Sequence, residues 1–215
     1  MGGTLKYGGR LMIREANLHD LEQIATIHTK CFDNRFLAKL GPELLAKYYK
    51  EFVDDQNIFL VSIDEEDNAI NGFILGTPHA AVAADRFVKN NAAKLSLKTL
   101  LLLFKFDRVT WISVLRTAGK SIKRMCNRPN VTSYQLGLKM LSLHSICVSN
   151  EFRRQGIARA LIGEFEEKLV KKGYEGYRLS VKKENKGAIH FYTRVSMSVC
   201  GETNTRLQYE KLINL

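Results

Sequence analysis

At 215 residues, with 45% hydrophobic and 26% charged residues, the chain can bury one full core and reads as a globular domain rather than a disordered or fibrous one. Three prolines and 15 glycines exclude collagen-like and low-complexity classes, and four dispersed cysteines without a CxxC pair argue against a zinc site or a disulfide framework and for a reducing cytoplasmic setting. The formal net charge is +11, and residues 78–130 hold +9 of it, with 11 basic residues against Asp85 and Asp107. A basic block inside a nearly neutral chain suggests either a local anionic partner or a solvated helix face, not general nucleic-acid binding.

The longest strongly apolar run, Leu100–Phe104, is too short to span a bilayer. Residues 1–10 lack a secretory stretch, and Lys6 stands where a myristoylation signal needs Ser or Thr. An apolar strand pattern begins near Met12, which makes Met12 an alternative start to Met1. Leu11–Arg14 reads as that first strand. Asn17 caps a helix whose apolar stripe is Leu21, Ile24, Ala25, His28, Cys31 and Phe32. His28 on this stripe reads as a packed, hydrogen-bonded histidine rather than a catalyst. Gly41-Pro42 opens a second helix that buries Leu45, Tyr48, Tyr49 and Phe52.

Ile58–Ile63 and Ile70–Leu75 flank the acidic turn 64–68 as a hairpin, with Gly72 marking a bulge or a close backbone approach. The basic segment 78–130 lacks strand alternation. It reads as two or three amphipathic helices, carrying Lys94, Lys98, Lys105, Arg108 and Arg116 beside Phe104 and Trp111, and closes at the loop 127–130. Then come a strand (139–148), a helix (156–172) stopped by Gly173, a strand (177–181), a helix (185–194) and a closing strand pair (197–201, 207–212). The order is mixed α and β, organised as one domain over 1–215 with the basic helical insertion 78–130 inside it.

The stretch that carries chemistry is Ile146-Cys147-Val148-Ser149-Asn150-Glu151-Phe152-Arg153-Arg154-Gln155-Gly156-Ile157-Ala158: strand, arginine-bearing loop, glycine, helix. A helix start offers unpaired N–H donors and the positive end of its dipole, and a residue without Cβ lets an anion approach the backbone. Arg153-x-x-Gly156-x-Ala158 resembles the acetyl-CoA signature of the GCN5-related N-acetyltransferase (GNAT) superfamily. The later block Asn185, Ala188 and Tyr192 resembles that family's second motif, and Gly72-Phe73 matches its Gly-aromatic pair. The resemblance covers Leu11–Leu212 apart from the basic insertion. Ser196-Met197 stands where the family usually has Gly-Phe after the second motif, which puts the tight turn there in doubt.

The resemblance implies the GNAT fold, a mixed and mostly antiparallel central sheet flanked by helices. It also implies direct acetyl transfer from acetyl-CoA to a primary amine, without a metal. The pyrophosphate is expected on backbone N–H groups from Arg154, Gln155, Gly156, Ile157, Ala158 and Arg159. The pantetheine arm is expected on the backbone of Ile146 and Val148, with Cys147 a small strand residue between them rather than a nucleophile, and with Asn185 bonding the arm from the far side. Arg153 has two open readings: a phosphate contact, or a helix-cap or surface ion pair.

An amine must lose a proton before it attacks, and the leaving thiolate must gain one. In arylalkylamine acetyltransferases a histidine occupies the offset that His144 holds here, four residues before Val148. Strand alternation is expected to put Ser142, His144, Ile146 and Val148 on one face. His144 is read as the base, against the alternative of a strand histidine bonded to a neighbour. Tyr192 is read as the acid, against an aromatic residue packing on the cofactor. Leu37–Tyr49 resembles a bacterial subgroup of uncharacterised acetyltransferases. That resemblance alone suggests an amino sugar, free or nucleotide-linked, as the acceptor. The competing reading is a GNAT-fold protein whose basic insertion docks it on an anionic membrane, RNA or a protein partner, or an acyl-CoA-binding module. The sequence leaves the oligomeric state open.

Overall fold

A computed structural model of the chain describes residues 5–7, 11–32, 36–66, 68–104 and 137–213. Within them one eight-stranded sheet runs β1 (Leu5–Tyr7), β2 (Leu11–Glu15), β3 (Ile58–Asp64), β4 (Ile70–Thr77), β5 (Met140–Val148), β6 (Gly176–Lys182), β8 (Arg206–Leu212), β7 (Ser198–Glu202). Every neighbouring pair is antiparallel except β5–β6, which the crossover helix α6 (Ile157–Lys171) makes parallel. β1 is a strand that the hydrophobic pattern does not disclose. The other strands fall where alternation places them, within two residues.

The sheet separates two cores. One face packs α1 (Leu21–Cys31), α3 (Pro42–Lys50) and α4 (Ala80–Asn90) over Val61, Phe73, Leu75 and Cys147. The other packs α6 and α7 (Lys186–Arg194) over Leu60, Ile74, Leu141, Leu143, Val148 and Leu179. The stripe read from α1 is buried as the spacing requires: Leu21, Ile24, Ala25 and His28 are inside, and His28 Nδ1 meets the Tyr49 hydroxyl at 2.6 Å. A short helix α2 (Phe36–Lys39) joins α1 to α3, and Pro42 occupies the first turn of α3. The described part of the basic insertion holds α4 and α5 (Ala92–Phe104). The readings placed on Lys105, Arg108, Trp111, Arg116 and the loop 127–130 lie outside the described residues.

Both readings of Gly72 hold. Ser62 pairs with Gly72 and Ile63 with Ile70, so Asn71 is an extra, bulged residue. A Cβ on Gly72 would stand 2.9 Å from the Cys147 carbonyl oxygen. α6 ends as expected, with Gly173 left-handed at φ +69°.

The turn after α7 forms without its glycine. Ser196 takes φ +62°, its N–H reaching Thr193 O at 3.1 Å while Met197 N–H reaches Tyr192 O at 3.0 Å. A non-glycine residue in this region is strained by about 1 kcal/mol. Ser196→Gly is therefore expected to raise stability by up to about 1 kcal/mol, with glycine's greater unfolded-state freedom offsetting part of the gain. Urea titration checks it: a lower midpoint would show that the serine hydroxyl matters more than the backbone strain.

Candidate functional site: a split sheet above a helix start

β5 and β6 are paired only between Met140–Ser142 and Gly176–Arg178, although β5 continues to Val148 and β6 to Lys182. Beyond Ser142 the two parallel strands part, and among the described residues one edge of β5 is left without a strand partner. Ser149 N–H donates to Asn71 O on β4 at 2.8 Å, so the carbonyl of the same peptide, Val148 C=O, points the other way, into the opening. Alternation puts the polar groups of Ile146 on that side too.

The opening leads to the loop before α6. Arg154 has φ +64° and Gly156 φ +83°, and α6 starts at Ile157. The backbone N–H groups of Arg154, Gln155, Gly156, Ile157 and Ala158 have no acceptor among the described residues. Arg159 N–H instead donates to Gly156 O at 2.9 Å, which removes its backbone from the expected cradle because the first helical turn closes there. A Cβ on Gly156 would meet no atom of the described residues within 4 Å, so among them the space above this backbone is open. Five consecutive donors at a helix start, beside a vacant Cβ position, fit a bulky anion such as a pyrophosphate.

Among the described residues Arg153 makes neither a helix cap nor an ion pair. Its Nε donates to Val148 O at 3.3 Å and its Nη2 lies 3.8 Å from Cys31 Sγ, so the side chain straps the end of β5 to the end of α1. The expected hydrogen-bonding edge of β5 is thereby partly used, and Cys31 Sγ also lies 3.4 Å from the Val148 carbonyl oxygen.

His144 stands at a second bulge. Leu75 pairs with Ser145 and Gly76 with Leu143, leaving His144 as the extra residue. The expected common face of Ser142, His144, Ile146 and Val148 is therefore not formed. The bulge reverses the alternation, so Leu141, Leu143, Ile146 and Val148 pack toward α6 while His144 and Cys147 face α3 and α1. There His144 Nε2 is 2.7 Å from the Tyr48 hydroxyl, and its ring stacks on Phe52 with centroids 5.4 Å apart. Desolvation by these aromatic neighbours lowers the His144 pKa, although part of the ring remains exposed. Burial pushes Tyr48 up to about 12, so it is a neutral hydroxyl at physiological pH. Helical spacing marked Tyr48 only as a core residue, and its polar role becomes visible once α3 is laid over the bulge.

Asn185 N-caps α7, its Oδ1 accepting Ala188 N–H at 3.1 Å. The Asn-x-x-Ala spacing is thus the distance from a cap to the third helical residue, and Nδ2 is the group left to donate to a ligand. Tyr192, buried at 9% exposure, packs in the α6-side core against Phe191 and Tyr209, with ring centroids 5.4 and 5.9 Å away.

The cysteines are not all dispersed in space. The Sγ atoms of Cys31 and Cys147 are in bonding contact, with Cα atoms 6.8 Å apart, because α1 ends against β5. Local spacing has no means of showing a pair separated by 116 residues.

A cavity of about 690 Å³ lies at the opposite end of β5, between Asp55, His79, Lys139, Lys172, Tyr174 and Arg178, and contains none of these groups. Among the described residues no cluster of three His, Cys, Asp or Glu is placed to hold a metal, and no helix is long and apolar enough to cross a membrane.

Residues 125–197, about a third of the chain, match the family model described as the acetyltransferase (GNAT) family. No curated protein sequence matches the chain. Among solved structures it is similar to the ribosomal-protein-S18-alanine N-acetyltransferase of Escherichia coli (12% identity, TM-score 0.55, 95% of each chain covered). It is also similar to the PaiA N-acetyltransferase of Thermoplasma acidophilum in complex with coenzyme A (15%, 0.56, 94% of this chain and 99% of that one). A third match is an N-acetyltransferase of Staphylococcus aureus Mu50 (15%, 0.57, 94% and 98%). Residues 125–197 thus match the GNAT family model, and the chain has the GNAT fold over nearly its whole length.

Proposed function

We propose that the protein is an acetyl-CoA-dependent N-acetyltransferase acting on a primary amine of a small molecule, by direct transfer. One observation carries the reading: the parting of β5 and β6 ends on five backbone donors without an acceptor among the described residues, and the same β5 carries His144 bonded to the Tyr48 hydroxyl. In this reading the N–H groups of Arg154–Ala158 bind the pyrophosphate, Ile146 and the Val148 N–H take the pantetheine arm, and Asn185 Nδ2 donates to it. Bound acetyl-CoA would supply the activated acetyl group as a thioester.

His144 removes the amine proton. Its lowered pKa keeps it neutral at pH 7, the form that accepts protons. Tyr48 orients the ring: with Nε2–H donating to the neutral phenol oxygen, Nδ1 carries the lone pair, and the same bond stabilises the imidazolium that forms. Tyr192 returns a proton to the leaving thiolate. Cys147 faces the α1 side and meets Cys31, which suits a structural role better than a covalent intermediate. An amino sugar, free or nucleotide-linked, is the proposed acceptor class, and the setting is cytoplasmic.

A second reading makes the basic insertion a docking element for an anionic membrane, RNA or protein. It is favoured by α5, which exposes Leu97, Leu100 and Leu101 at 50–60% beside Lys94 and Lys98. Lys94 already pairs with Glu43 at 3.0 Å, so part of the positive charge is internally matched. A panel of amines with acetyl-CoA, read by free-thiol release, tests the enzyme reading, and co-sedimentation with anionic liposomes at low and high salt tests the other. Amine-dependent thiol release without sedimentation supports the first; sedimentation without turnover supports the second.

A further inference from the structure

We propose that Cys31 and Cys147 form a thiol–disulfide exchange site whose oxidant is a low-molecular-weight disulfide of the glutathione class. Three features of the fold carry it. The Cα atoms are 6.8 Å apart, at the upper end of the range that a disulfide spans. Cys31 is partly exposed at the C-terminal end of α1, whereas Cys147 is 6% exposed on β5. An accessible thiol backed by a shielded one is the arrangement of an attacking and a resolving cysteine. Arg153 Nη2 lies 3.8 Å from Cys31 Sγ, a positive charge placed to favour a thiolate there once the pair is reduced and to offset the negative end of the α1 dipole.

The exchange balances in two steps. The Cys31 thiolate attacks one sulfur of glutathione disulfide, forming a Cys31–glutathione mixed disulfide and releasing one glutathione thiolate. The Cys147 thiol gives up its proton and attacks Cys31 Sγ. The Cys31–Cys147 bond forms, the mixed disulfide breaks, and a second glutathione leaves. Two protein thiols are oxidised, one glutathione disulfide is reduced to two glutathiones, and the protons end on those products. The new bond would tie α1, on the α3 side of the sheet, to the strand that borders the opening.

The experiment uses the reduced full-length chain. It is incubated with glutathione disulfide, quenched with an alkylating agent and mapped by peptide mass spectrometry. The expected result is a Cys31–Cys147 linked peptide. Closing so long a loop should raise the thermal midpoint of the oxidised protein by roughly 5–10 °C over the reduced one, a difference that Cys31→Ser abolishes. Arg153→Gln should slow alkylation of Cys31 by iodoacetamide several-fold at neutral pH while leaving the exposed Cys200 unaffected. A stable glutathione adduct on Cys31 without the internal link, or a Cys31 that stays unmodified in the folded chain, would overturn the proposal. The mapping needs no variant, so a substitution that fails to fold does not remove the test.

Discussion

Gly156→Val should lower acetyl-CoA affinity by at least ~100-fold. The backbone of Gly156 sits at φ +83°, with no atom of the described residues within 4 Å of where its Cβ would be, between two pairs of N–H donors that have no acceptor among those residues. A valine there puts a branched side chain into the volume the phosphates need. It also pulls the loop out of the left-handed conformation that aims the donors outward. Hydrogen bonds to a charged group contribute about 1.5–3 kcal/mol each, and losing two of them is worth roughly two orders of magnitude in Kd. The same substitution strains the native backbone by about 1–2 kcal/mol, which a domain of this size survives. Calorimetric titration beside a thermal melt separates the two effects. Near-parental affinity in a folded Gly156→Val protein would remove this loop as the anion site.

His144→Ala should lose roughly 10²–10⁴ in turnover, the range for a positioned acid or base. The pH profile is the sharper readout. An ordinary histidine titrates near ~6.5, and desolvation moves His144 below that. The rate at saturating amine should therefore be level near pH 7 and fall as pH drops through that lowered pKa, because protonation consumes the base. His144→Ala should lack this limb. Tyr48→Phe removes the acceptor of the Nε2–H bond. The imidazolium then loses its partner, the limb should move to still lower pH, and the rate should fall about tenfold. Tyr192→Phe should leave acetyl-CoA binding unchanged and slow the chemical step. If both groups act in one transition state, the His144/Tyr192 double variant should lose less than the product of the single losses. An unchanged pH profile in His144→Ala would pass the base role to an ordered water or an acceptor-side group, and would leave the cofactor loop untouched.

The local features of the site were legible because their physics is local. Arg153-x-x-Gly156-x-Ala158 specifies a strand end, a left-handed turn and a helix start within six residues. Asn185 and Ala188 are a cap and the N–H it binds, three residues apart. Hydrophobic period separated strands from helices over most of the chain, and turn residues such as Gly173 marked their ends. The exceptions were also local in origin: β1 is too short to show a period, and Ser196 does at φ +62° what a glycine was expected to do.

The sequence by itself thus determined the order of most elements, the glycine-bearing loop at the start of α6 and the identity of the histidine on β5. Tertiary structure decided which way that histidine faces and what it meets. Strand register depends on the neighbouring strand, and β4 pairs so that His144 is left over, flipping it onto the α3 side. Tyr48, 96 residues earlier in the chain, reaches it only because α3 packs over that bulge. Arg159 dropped out of the cradle because its N–H closed the first helical turn, and Arg153 turned away from the loop because the Val148 carbonyl and Cys31 lay within its reach. The Cys31–Cys147 contact needs α1 to end against β5. Spacing rules describe groups within a turn or two of one another. Contacts between distant segments follow from how the two layers of helices seat on the twisted sheet, and only the folded chain contains that information.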